Sequence, residues 1–72
     1  MSGIVALGEG QRVRGFALAG ATVVVAEDEA EVTAAWQALE ADVGLVLLTP
    51  AAAKVVAPYV RDRPHLLTAV MP

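Results

Sequence analysis

The chain has 72 residues, 57% of them hydrophobic and 18% charged, with a net charge of −3 and no cysteine. That length allows one domain at most, spanning residues 1–72. The composition excludes a disordered chain, a disulfide scaffold and a thiolate metal site, and the acidic balance argues against nucleic acid, whose phosphates need a basic face.

A domain this small buries only about 60% of its unfolded-chain surface. Much of the apolar content is Ala and Val, and the aromatics are Phe16, Trp36 and Tyr59. Thin, closely packed layers follow, and the apolar surplus implies that some surface is meant for a partner. The apolar runs stop well short of the ~18–20 residues of a membrane span. Met1-Ser2-Gly3 lacks the positive n-region of a signal peptide.

Ile4 to Leu7, ending at Gly8, is the first predicted strand. From Gln11 the pattern turns helical, with Val13, Phe16, Ala17 and Gly20 on one face and Gly20 placed as a C-cap. Thr22 to Ala26 is β-branched and apolar, hence a second strand. Asp28 with Glu31 three residues on forms a capping box, and Glu29 and Glu31 suit the positive end of a helix dipole. Val32, Ala35, Trp36 and Leu39 then make an amphipathic stripe. Val43 to Leu48 is a continuous apolar run, suited to a parallel strand covered on both faces. Thr49 as N-cap and Pro50 at the first helical position start a third helix with Ala53, Val56, Ala57 and Val60 as its apolar face. Pro58 should kink or split it. Leu66 to Met71 is the fourth strand. The alternation βαβαβαβ implies an α/β fold on a parallel sheet with right-handed crossovers.

Gly8-Glu9, the block Gly15-Phe16-Ala17-Leu18-Ala19-Gly20, the strand Asp42-Val43-Gly44-Leu45-Val46-Leu47-Leu48-Thr49 and the ending Val70-Met71-Pro72 resemble, in order and spacing, the F subunits of V/A-type rotary ATPases. The resemblance covers nearly the whole chain. It implies a three-layer α/β/α fold, CheY- and flavodoxin-like, with a four-stranded parallel sheet in the order 2-1-3-4. It also implies a place on the central rotor stalk, bound to the coiled-coil D subunit, with the ATP chemistry left to other subunits. Family members commonly continue past the last strand into a regulatory segment. The sequence given stops at Pro72, short of that segment, as a truncated chain or a short form would; the work that the resemblance implies for the part present is docking on the stalk and stiffening it.

Gly8-Glu9-Gly10 with Gly15 fails as a phosphate loop. A dinucleotide fingerprint needs glycine where Val13 stands, and a Walker A loop needs Lys-Ser/Thr where Phe16-Ala17 stands. A tight strand-to-helix turn, with Gly15 admitting close helix approach, explains these glycines better. Glu9, Glu27 and Asp28 are predicted to gather at the carboxyl edge of the sheet, where such folds bind ligands and where three carboxylates could hold Mg²⁺. A receiver would also need a phosphoacceptor Asp where Leu48 or Thr49 stands, and capping accounts better for Asp28 and Glu29. His65 and Ser2, each the sole residue of its type, cannot make a nucleophilic triad.

The reading is therefore a non-enzymatic domain with no cofactor and no metal site, and the resemblance implies that it is cytoplasmic and peripheral to the membrane through its complex. Its predicted docking residues are Lys54, Tyr59, Arg61 and Arg63 with the C-terminal strand. Arg61-Asp62-Arg63 fits a solvated helix end or an acidic partner, Trp36 belongs to the core, and Tyr59 is the interface anchor. The alternatives are a free-standing regulatory or ligand-binding flavodoxin-like module using the Glu9/Glu27/Asp28 edge, and a homo-oligomeric structural protein.

Overall fold

The computed structural model describes residues 3–72, apart from the side chains of residues 18 and 19. Met1 and Ser2 lie outside the described residues. The order is β1 (Gly3–Gly8), α1 (Gly10–Val13) with a 3₁₀ extension (Arg14–Ala19), β2 (Thr22–Val25), α2 (Glu29–Ala38), β3 (Val43–Leu48), α3 (Pro50–Val56) with a 3₁₀ extension (Ala57–Asp62), and β4 (Leu67–Val70). The four strands form one parallel sheet in the order β2-β1-β3-β4. The predicted α/β class and strand order are both present.

The two central strands are also the most apolar, as burial on both faces requires. Val5, Leu7, Val46 and Leu48 meet Val32 and Trp36 of α2 and Ala52 and Val56 of α3. On the other face Ala6 packs with Val13 and Met71, and Phe16, Val23 and Leu47 border them. α3 packs chiefly on α2, β1 and β3. β4 therefore stands outside the helical layers, with Leu67 67% and Val70 58% exposed.

Three local predictions need correction. The first helix does not run as a single α-helix from Gln11: one α-turn tightens into a 3₁₀ helix at Arg14. At three residues per turn, Val13 and Phe16 stay over the sheet while Ala17 rotates out to solvent. Gly20 does close the segment as predicted, at φ +89°, with its N–H and that of Ala21 bonded to the carbonyls of Ala17 and Phe16. Second, a Cβ at Gly15 would meet nothing within 4 Å, so that glycine admits no close approach. The close approach is at Gly8, where a Cβ would overlap the side chain of Thr49. Third, α3 buries Ala52 with Val56, leaves Ala53 half-buried and exposes Ala57.

The capping chemistry follows the sequence closely. Asp28 Oδ1 accepts from the Glu31 N–H at 2.8 Å, but Glu31 Oε1 reaches back to the N–H of Glu27, at 2.7 Å, rather than to that of Asp28. The α-helical part of the third helix ends at Val56, two residues before Pro58, whose missing N–H suits the tighter turn that follows.

Candidate functional site

In a doubly wound sheet the strand order reverses between the two central strands, and ligands enter the crevice at their carboxyl ends. Here that point lies between the ends of β1 and β3, and Glu9 and Thr49 follow those two strands directly. The Thr49 hydroxyl, fully buried, donates to Glu9 Oε1 at 2.6 Å. Its oxygen also accepts from the Ala52 N–H at 3.3 Å, capping α3. The Thr49 N–H donates to the Leu7 carbonyl, so backbone and side chain both tie the start of α3 to the end of β1.

The half-exposed Glu9 carboxylate also faces the Arg12 guanidinium at 3.8 Å. The bond from Thr49, then that from its own backbone N–H, hold the Glu9 carboxyl below the ordinary glutamate value. Arg12 adds a smaller pull in the same direction, and partial desolvation opposes them.

The three edge carboxylates share the predicted end of the sheet but do not converge. Asp28 is turned to the start of α2, Glu9 to Thr49, and Glu27 Oε2 accepts from the Gly10 N–H at 3.4 Å. Each is engaged by a backbone or side-chain donor of its own. Among the described residues no group of three His, Cys, Asp or Glu side chains could hold a metal ion. Two carboxylates at the start of α1 also repel phosphate, which removes the electrostatic basis for a nucleotide loop there.

The predicted docking residues lie along α3 and its extension. Lys54 and Arg61 are exposed, and Tyr59 is 37% exposed. Arg63 is different. It is half-buried, donates to the carbonyls of Leu39 and Gln37 at 3.2 Å each, and lies 5.9 Å from the centre of the Trp36 ring. It thus satisfies carbonyls at the C-terminal end of α2, where cations suit the dipole. Trp36, Gln37, Tyr59, Asp62 and Arg63 line an open recess of about 200 Å³. That is below the roughly 300–1,000 Å³ of small-molecule pockets and closer to the size of one partner side chain.

Sequence reasoning did not find the Glu9–Thr49 link or the seat of Arg63 on α2. Both join residues far apart in the chain, and no local pattern encodes them.

The fold defines a small doubly wound, flavodoxin-like α/β domain in which Glu9 and Thr49 are bonded to each other at the point where the strand order reverses. The sequence profile of the ATP synthase (F/14-kDa) subunit family matches residues 4–71, and the chain belongs to that family. No curated protein and no solved structure matches it.

Proposed function

We propose that the chain is a non-catalytic central-stalk subunit of a V/A-type rotary ATPase, docking on the coiled coil of the stalk's D subunit. The observation that carries this reading is the family match over residues 4–71. The Glu9–Thr49 bond supports it, because at the switch point where such folds bind ligands these two side chains are engaged with each other. The docking surface comprises Lys54, Tyr59 and Arg61 on the third helix, Arg63 at its end, and the adjoining β4. Tyr59 is the anchor, since a half-exposed aromatic beside an open recess is the kind of residue on which interfaces concentrate their energy. The protein would be cytoplasmic and held near the membrane through the complex. No described helix is long and apolar enough to cross a membrane.

Co-expression with the host's own coiled-coil stalk protein, followed by size-exclusion chromatography with light scattering, tests the proposal. A stable one-to-one complex is the expected result. Absence of any heterocomplex would reject docking on the coiled coil and leave only membership of the family.

A further inference from the structure

We propose that β4 is a dimerisation strand. Its outer edge pairs antiparallel with the same strand of a second copy, about a two-fold axis at Ala69, and joins two four-stranded sheets into one. The inference does not rest on the stalk reading. A stalk partner that covers β4 would compete with the second copy.

The argument begins at the free edge. Met71 donates its N–H inward to the Leu48 carbonyl at 2.8 Å. Strand alternation then turns the backbone groups of Leu67 and Ala69 toward β3 as well, and those of Thr68 and Val70 outward. Natural sheets blunt such edges with a charge, a proline or a bulge. Leu67-Thr68-Ala69-Val70 holds no charge and no proline, and its register with β3 is unbroken. Every residue in it is exposed. An extended strand can satisfy a row of outward N–H and C=O groups along its whole length.

The register follows from those outward groups. With the axis at Ala69, Thr68 and Val70 of the second copy exchange both backbone bonds, and the mirror pair repeats this. The two Ala69 residues meet at the close, non-hydrogen-bonded spacing, which suits small side chains. On the α1 face Leu67 then lies opposite Met71 of the second copy. Leu67 already ends a row across the sheet, Ile4–Leu45–Leu67, which α1 leaves uncovered at both ends: Ile4 is 44% exposed. The dimer continues that row.

Charge selects a second copy at β4 rather than at the other edge. Glu27, Asp28, Glu29 and Glu31 cluster where β2 meets α2, on the opposite side of the sheet. Antiparallel pairing through β2 would leave the two clusters at either end of the joined strands, beside the seam, whereas pairing through β4 sets them at the far edges of the joined sheet. Pairing β4 with β2 of another copy would not close and would run on into a filament.

Sedimentation velocity on the whole chain over a concentration series tests this, with Ala69→Lys and Ala69→Glu as variants. The wild type should sediment as a dimer. Each variant, with two like charges meeting at the axis, should sediment as a monomer with unchanged circular dichroism. An equimolar mixture of the two should recover the dimer. Thr68→Pro, which removes an outward N–H at an edge position that tolerates proline, should also be a monomer. A wild type that stays monomeric throughout, single variants that still dimerise, or a mixture that stays monomeric would each overturn the proposal. So would larger concentration-dependent species, which would report open-ended assembly.

Discussion

Thr49 stands forty positions from Glu9, yet its buried hydroxyl donates to the Glu9 carboxylate at 2.6 Å while its oxygen caps α3. One side chain thus fixes both the start of a helix and the end of the neighbouring strand. Thr49→Val keeps the shape and removes both bonds. Loss of the cap and of the bond to the carboxylate should destabilise the domain by about 2 kcal/mol. Thr49→Ser keeps the hydroxyl and should recover most of that. Urea unfolding followed by Trp36 fluorescence measures both. Equal midpoints for wild type and Thr49→Val would show that the link carries no stability.

Gly8 and Gly15 should respond oppositely to alanine. At Gly8 the new Cβ would lie 2.8 Å from the Thr49 Cβ and closer still to Thr49 Oγ1 and Cγ2, on a backbone at φ +154°. Thr49 is held by its cap and by Glu9 and has nowhere to move, so Gly8→Ala should cost about 2 kcal/mol or more. Gly15 has a negative φ and open space around it. Gly15→Ala should be neutral or add about 0.5–1 kcal/mol, mainly by restricting the unfolded chain. The sequence pattern alone assigns the close approach to Gly15, so thermal melts of the two variants discriminate the two assignments directly.

What the sequence disclosed was set by local chemistry. Thr49-Pro50 and Asp28 through Glu31 marked helix starts because capping partners lie within three residues. Val32, Trp36 and Leu39 fixed the phase of α2 because large side chains stand against small or polar ones. The phase of α3 was hidden in Ala51-Ala52-Ala53, where three identical small side chains carry no information about which one faces the core. The shortening of α1 was hidden too, since Val13 and Phe16 fit either a three-residue or a 3.6-residue turn. Strand order followed from the family resemblance, because alternation alone gives a parallel sheet without its permutation. The Glu9–Thr49 link is tertiary and had no local signal, although both residues were singled out for other reasons.

Acid should weaken the link. Glu9 ionises in the fold below the ordinary glutamate value of 4.5. A lowered folded value means that the carboxylate contributes stability fully above the unfolded value, and that this contribution is lost as pH falls through the folded value. The stability difference between wild type and Thr49→Val should therefore be constant at neutral pH and shrink below about pH 4.5. The side-chain carbon of Glu9, followed by NMR, should titrate below 4.5 in the wild type and move up toward it in Thr49→Val. A difference that persists undiminished through acid would assign the effect to the helix cap alone.

The four residues assigned to docking are not equivalent probes. Tyr59 and Arg61 are exposed, and no described side-chain hydrogen bond or ion pair uses them, so changing them should leave the fold intact. Tyr59→Ala with Arg61→Glu should weaken binding to the stalk's coiled coil about tenfold or more, with most of the loss from the aromatic anchor, since rim charges act mainly on association rate. Arg63 ties the third helix to α2 through two carbonyls and the Trp36 ring. Arg63→Ala should therefore destabilise the free domain by about 1–2 kcal/mol and perturb Trp36 fluorescence before any partner is added. Lysine cannot span both carbonyls with a planar fork, so Arg63→Lys should recover only part of this. Calorimetric titration of each folded variant with the coiled-coil stalk protein, beside its melting curve, separates the two effects. Affinity unchanged in the Tyr59/Arg61 double variant would place the stalk contact elsewhere on the domain.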